Sequence, residues 1–315
     1  MENTTMENTR TKTTRNSLIL LLTAAIWGMA FVSQSKGMDY MHPFTFNGVR
    51  SLIGAASILV YILISRKIAG DKAAPLDWKL NVKAGLLCGI SLTIASTLQQ
   101  FGIKYTSVGK AGFITTLYII FVPMFGIFLK KKVAPVVWAA AVMAAVGMYL
   151  LCMTESLHLG AGDIMVFLCA IAFAIQIMTV DHYAARIDGA VVSCIQFTVC
   201  VVVCCIGALI WGQPTFGQLQ EGLGALLYAG VLSCGVGYTL QIVGQKGLNP
   251  TVAALIMSLE SVIATISGWI AYKIGFLTTD QTLTARQIAG CVIVFAAVIL
   301  VQLPPEWFRF GKKNA

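Results

Sequence analysis

Apolar residues gather along the chain in blocks of about 20, the length that crosses a hydrocarbon core of roughly 30 Å as a helix. Short stretches carrying charge, proline or glycine separate them. The blocks predict ten spans: Ser17 to Gln34, Phe44 to Ser65, Val82 to Ile103, Val108 to Leu129, Pro135 to Met153, Asp163 to Val180, Ala190 to Trp211, Leu223 to Val243, Val252 to Tyr272 and Thr284 to Leu303. Several loops are punctuated by turn residues, as HP before the second span, AP before the fifth, LGAGD before the sixth and NP before the ninth. The longest connection, RKIAGDKAAPLDWKLN, has 16 residues, so the loops are connectors and not domains. The expected fold class is an all-α polytopic membrane protein of ten transmembrane helices. Residues 1–16, MENTTMENTRTKTTRN, read as an unstructured polar tail, and 304–315 as a second tail. The apolar stretch after the first tail has no small-residue cleavage site and reads as a retained span.

Lysine and arginine orient these spans. With the N-terminus in the cytoplasm, inside segments hold 16 basic residues: Arg10, Lys12, Arg15, Arg66, Lys67, Lys72, Lys79, Lys83, Lys130, Lys131, Lys132, Arg186, Lys246, Arg309, Lys312 and Lys313. Outside segments hold five, namely Lys36, Lys104, Lys110, Lys273 and Arg286. Both termini are therefore expected in the cytoplasm of a multi-pass protein of the cytoplasmic membrane.

The chain also repeats itself. An offset of 142 residues aligns Leu98 to Lys130 with Leu240 to Tyr272 without a gap, and Leu98/Leu240, Gln99/Gln241, Gly102/Gly244, Lys104/Lys246, Ala111/Ala253, Ile114/Ile256, Leu117/Leu259 and Gly126/Gly268 are shared. The repeat units are 17–153 and 163–303. A unit of five spans is odd in number, so two copies insert with opposite orientation, an arrangement that carriers use to handle substrate near the midplane.

Composition sharpens the class. Of 315 residues, 57% are hydrophobic and 11% charged, against roughly 25% charged in an average soluble domain, and mean hydropathy is +0.81. Ten spans use about 200 positions, which leaves no room for a soluble catalytic domain. The net charge of +9 sits mostly in loops, where it acts on topology and on lipid headgroups, so no nucleic-acid partner is expected. The nine cysteines lie inside or at the ends of apolar segments, without a C-x-x-C pair or a histidine at ligand spacing, and read as small packing residues. No metal or cofactor is implied, and no obligate protein partner is evident.

Four segments carry a family resemblance: AAIWGMAFV in the first span, GVRSLIGA in the second, TSVGKAGFITTLYIIFVPMFG across the fourth and NPTVAALIMSLESVIATISGW across the ninth. In order and spacing they resemble the EamA branch of the drug/metabolite transporter superfamily, over about Ser17 to Leu303 as two repeats. The resemblance implies a ten-helix carrier that exports amino acids or similar small metabolites. Two departures stand out. Ser261 follows Glu260 where the family commonly has proline, and Lys130 and Tyr272-Lys273 replace the acid that often closes the fourth and ninth spans.

Two ionisable groups lie deep in the spans, where an unpartnered charge costs at least a few kcal/mol. Arg50 is seven residues beyond Pro43, and Glu260 ten beyond Pro250. At 1.5 Å per residue these are depths of about 10 and 15 Å from opposite boundaries, which meet near the centre. One reading makes them a structural ion pair between the second and ninth spans; the other gives them substrate or proton handling, with Glu260 as the proton carrier. Under the repeat, Glu260 matches Tyr118 and Arg50 matches Gln196 at an offset of 146, so charge occurs in one copy only. Trp27, Asn47, Gln99, Gln100, Thr115, Tyr118, Gln176, Gln196, Tyr238, Gln241 and Ser258 complete the candidate set. Together they offer an amino-acid-like solute a cation, an anion and neutral hydrogen-bonding groups, or else they pack between helices. Pro123 is expected to bend the fourth span and serve as a gate hinge or a fixed kink. The pairs Gly85/Gly89 and Ala225/Ala229 have the spacing of close helix packing.

Competing classes lack their chemistry. No H-E-x-x-H or G-x-S-x-G occurs, and His42, His158 and His182 lie at span ends, which disfavours a hydrolase. Nothing resembles a filter or a charged ring, and no phosphate-binding glycine loop with lysine is present. The alternative is a carrier of nucleotide sugars or lipid-linked intermediates, which calls for more cations in the cavity than Arg50 alone.

Overall fold

The computed structural model describes residues 2–70, 75–130, 133–152, 160–278 and 280–302, with side chains from 12 onward except those of 151, 152, 301 and 302. Lys72, Lys131, Lys132, Met153, His158, Arg309, Lys312 and Lys313, the 304–315 tail, and the side chains of Arg10 and Cys152 lie outside the described residues.

All regular structure among them is helical. In chain order the helices are α1 (Glu2–Gly37), α2 (Pro43–Ala69), α3 (Trp78–Ile103), α4 (Val108–Thr116), α5 (Tyr118–Phe128), α6 (Pro135–Cys152), α7 (Ala161–Tyr183), α8 (Gly189–Gly207), α9 (Phe216–Glu221), α10 (Leu223–Leu227), α11 (Tyr238–Gln245), α12 (Pro250–Met257), α13 (Leu259–Lys273) and α14 (Ala285–Gln302). A π-helical turn, Ala208–Gly212, extends α8, and a π-helical stretch, Tyr228–Gly237, joins α10 to α11. The expected N-terminal tail differs: its backbone continues α1 outward from Glu2, because no proline or glycine interrupts the first 27 residues.

Helix starts are set by side chains that take the free backbone N–H groups. Asp77 accepts from Leu80 N, Ser107 from Lys110 N, Asp188 from Ala190 N and Val191 N, and Asn249 from Thr251 N. Pro43 and Pro250 open α2 and α12 where no N–H is needed. Ser107, Asp188 and Asn249 fall close to the expected starts at Val108, Ala190 and Val252, whereas Asp77 starts α3 ahead of the expected Val82.

Among the described residues, eight helical segments are long and apolar enough to cross a membrane: Lys12–Gly37, Pro43–Ala69, Trp78–Ile103, Val108–Phe128, Ala161–Tyr183, Gly189–Gly212, Leu223–Gln245 and Pro250–Lys273. The fifth and tenth expected spans are the shorter apolar helices Pro135–Leu150 and Ala285–Leu300. Polarity is distributed for an apolar solvent. Leu63, Ile68, Val142, Leu209 and Val292 are exposed, while Gln100, Gln176, Gln196 and Ser258 are fully buried. The protein is a multi-pass membrane protein.

The largest interfaces join α2 to α8, α6 to α14, and α3 to both α7 and α8, with α1 lying along α13. Small residues permit close approach. A Cβ on Gly147 of α6 would stand 2.9 Å from the carbonyl oxygen of Gly290 on α14. Gly85 and Gly89 receive Ile195 and Val199 of α8, the packing role expected for that pair.

The bundle has two ends. At the near end, which holds the start of α1, Asn16 Nδ2 donates to Lys246 O at 2.7 Å and Asp188 N to Asn81 Oδ1 at 2.9 Å. At the far end, Thr106 Oγ1 donates to Asp163 Oδ1 at 2.9 Å, and Lys110 Nζ lies 2.6 Å from Asp163 Oδ2.

Candidate substrate cavity

The cavity is organised by two interrupted spans. The fourth breaks between α4 and α5 at Leu117, where Leu117 N bonds Ile114 O and Ile120 N bonds Leu117 O. The ninth breaks between α12 and α13 at Ser258, where Ser261 N bonds Ser258 O. Both are tight three-residue turns in place of the α-helical ladder. Hydroxyls take up the carbonyls released: Thr116 Oγ1 donates to Phe113 O, Ser258 Oγ to Leu255 O and Ser261 Oγ to Ser258 O. Pro123, expected to bend the fourth span as a gate hinge or a fixed kink, is buried inside α5, six residues beyond the break. Its ring removes one ladder bond without ending the helix, whereas Thr116 and Ser258 offer carbonyls an alternative donor.

Tyr118 and Glu260 open the second halves of these spans and face each other. Tyr118 Oη donates to Glu260 Oε1 at 3.0 Å, with both side chains buried. The expected Arg50–Glu260 ion pair is not made: among the described residues Arg50 has neither an ion pair nor a hydrogen bond, and its guanidinium carbon lies 5.5 Å from the Phe46 ring centre. Phe46 sits one turn before Arg50 on α2, so the cation is steadied by a ring face and not by a carboxylate.

Arg50 and Glu260 nevertheless line one cavity, with Trp27, Gln99, Thr115, Tyr118, Gln176, Tyr238 and Gln241 from the candidate set. Its free volume is ≈ 30 Å³, room for one or two waters. Trp27 and Tyr238 meet with ring centres 4.6 Å apart, and Trp27 Nε1 donates to Ser233 O at 3.4 Å. Gln99 Nε2 donates to Thr115 Oγ1 at 3.2 Å.

Four candidates fall outside the lining. Asn47 Nδ2 donates to Ser96 O, tying α2 to α3; Gln100 Nε2 donates to Gln34 O; Ser258 serves its own helix. Gln196 is fully buried, and neither amide atom has a hydrogen-bond partner among the described residues. Sequence reasoning missed Ala30, Phe31, Gln34, Phe173, Ile177 and Ser233. A signal existed for most of them: Ala30 and Phe31 lie one turn beyond Trp27, and Phe173 lies one turn before Gln176 and Ile177.

No three His, Cys, Asp or Glu side chains among the described residues come together as a metal group. What the arrangement offers is a buried cation and a buried carboxyl kept apart in one chamber between helices.

The model of the EamA-like transporter family matches residues 15–153 and again residues 160–303. The chain belongs to the EamA-like transporter family. This EamA transporter is 27% identical over 290 residues to an uncharacterized transporter of Archaeoglobus fulgidus, covering 90% of the chain and 84% of that relative. It is 24% identical over 296 residues to the uncharacterized transporter YwfM of Bacillus subtilis, covering 92% and 94%. A solved crystal structure shares the fold at a TM-score of 0.72 and 16% identity, covering 94% of this chain and 99% of the other. The EamA resemblance of the four sequence segments is thus met, and the cavity belongs to a small-molecule transporter.

Proposed function

We propose that this EamA transporter is a secondary carrier that exports amino acids or similar small zwitterionic metabolites across the cytoplasmic membrane by alternating access. The observation that carries this reading is the separation of Arg50 and Glu260 inside one cavity. Among the described residues the Arg50 cation has no carboxylate partner, which suits a substrate carboxylate, and the Glu260 carboxyl is held by Tyr118 alone, which suits an ammonium or a proton. The amides of Gln99, Gln176 and Gln241 supply neutral contacts, and Trp27 with Tyr238 flanks an apolar side chain. The tight cavity means that solute enters when helices part, first at one end and then at the other. A phosphate-bearing substrate is less well served, since Arg50 is the one Lys or Arg among the lining residues.

The mechanism rests on ten helices built as two inverted five-helix repeats, both termini cytoplasmic. Several features support that architecture. The family model matches twice. The two span breaks lie 141 residues apart, close to the sequence offset. The α2–α8 and α6–α14 interfaces pair corresponding spans, and α1 on α13 is answered by α7 on α4 and α5. In this reading the near end faces the cytoplasm and the far end faces outward.

The test is purified protein in liposomes, assayed for uptake of each of twenty amino acids with and without a pH gradient. Saturable uptake of at least one, absent from empty liposomes, is expected. Uptake of none removes the substrate class.

A further inference from the structure

Part of the cavity wall is built from matched positions of the two halves, and at one of them an alanine stands where the other half has a glutamine. Trp27, Ala30 and Phe31 of α1 match Phe173, Gln176 and Ile177 of α7, each 146 residues on, and all six line the cavity. Facing them, Gln99 of α3 matches Gln241 of α11.

Toward the near end, Gln176 and Gln241 bond reciprocally. Gln176 Nε2 donates to Gln241 Oε1 at 3.3 Å, and Gln241 Nε2 to Gln176 Oε1 at 3.0 Å. One turn outward, Gln245 Nε2 donates to Ile177 O at 3.3 Å, a third tie between α7 and α11. Toward the far end, Ala30 occupies the place matched to Gln176. Gln99 therefore meets no amide across the cavity and turns to Thr115. Among the described residues the side-chain tie between α3 and α1 there is a single bond, Gln100 Nε2 to Gln34 O at 3.2 Å.

We propose that Gln176 and Gln241 form the latch of a near-end gate between α7 and α11, and that Ala30 leaves the matching far-end contact between α1 and α3 without one, so that α1 and α3 part more readily there, while the Lys110–Asp163 ion pair and the Thr106–Asp163 bond hold α7 elsewhere at that end. The proposal rests on the carrier reading above. The physical reason is cooperative geometry: a reciprocal amide pair breaks both bonds together, in a buried site where either amide alone lacks a partner. Ala30 cannot rebuild it from the other repeat. The cavity is then loaded more readily from the far end, and solute arriving from the near end must first break the latch.

Hydrogen–deuterium exchange on the full chain in lipid nanodiscs tests this. In the native protein, amides of 31–37 and 100–103 should exchange faster than those of 177–183 and 241–245. Gln176→Ala should speed exchange in 177–183 and 241–245 by roughly tenfold, the factor that loss of two hydrogen bonds of ordinary net strength supplies. Gln241→Ala should do the same, so the test survives if one variant fails to fold. Ala30→Gln should slow exchange at 31–37. Equal exchange at both ends of the native chain, or unchanged exchange in a folded Gln176→Ala or Gln241→Ala variant, overturns the latch. The liposome assay keeps the two ideas apart. Amino-acid uptake together with unaltered exchange in the variants removes the latch and leaves the carrier; altered exchange without uptake of any amino acid leaves the latch and removes the substrate class.

Discussion

Tyr118 and Glu260 stand 142 residues apart in the chain and 3.0 Å apart in space, each at the start of the second half of a broken span. Residues in matching places of two copies touch where the copies meet. The phenol therefore shields from the hydrocarbon a carboxyl that its own repeat partner position lacks. Tyr118→Phe keeps the ring and removes the donor, leaving a buried carboxyl unpartnered at a cost of about 1–3 kcal/mol. A lower melting temperature in detergent, read by tryptophan fluorescence, is the expected result; no shift would mean that Glu260 does not depend on this bond.

Arg50→Gln keeps a polar side chain on α2 and removes the charge. Losing a charge-assisted hydrogen bond of about 1.5–3 kcal/mol weakens apparent substrate affinity by roughly 10- to 100-fold. Expression should change little, because Arg50 makes no ion pair among the described residues that the substitution would break. Uptake kinetics and membrane yield measured together check this, and normal uptake would remove Arg50 from the substrate site.

Glu260→Gln mimics the protonated carboxyl. Because no cation is paired with Glu260 among the described residues, the variant leaves no orphaned charge and should fold. Uptake driven by a pH gradient is expected to disappear while exchange of labelled for unlabelled amino acid partly persists. A stable variant that keeps full response to the gradient would take Glu260 out of proton handling.

Gly28 brings α1 against α13 at the site itself. A Cβ there would lie 2.8 Å from the Glu260 carbonyl oxygen and 2.6 Å from Ile263 Cβ. Gly28→Ala must push the helices apart, costing about 1–3 kcal/mol as overpacking. Thermal unfolding and uptake should both suffer, and wild-type behaviour in both would show that α1 has slack at this level.

Lys104 and Lys246 follow α3 and α11 at matching places, at opposite ends of the bundle. Cysteines introduced at the two positions should react with an impermeant maleimide from opposite faces of the membrane. Labelling from the same face would break the inverted-repeat architecture.

Hydropathy and caps alone marked out the spans, because a segment in lipid must satisfy its own backbone and so announces its length as an apolar run. The expected fourth span, Val108 to Leu129, and the observed Val108–Phe128 differ by one residue, and Ser107 and Asn249 cap where turns were expected. Depth was legible for the same reason: counting rises from Pro43 and Pro250 put Arg50 and Glu260 at one level, and they do line one cavity. Rotation about each helix axis was not. Asn47 bonds Ser96 and Gln196 is buried outside the cavity lining, although composition made them equal to Gln99 and Gln241. Nor could sequence choose the partner of Glu260, since Arg50 and Tyr118 are both within reach in depth; only the lateral placement of α2 and α5 around α13 decides. The interruptions at Leu117 and Ser258 were not legible either, because serine and threonine are tolerated throughout membrane helices and their hydroxyls bond the preceding carbonyls of their own span whether or not the ladder breaks. An apolar run encodes position along the membrane normal, and packing alone supplies the two coordinates that remain.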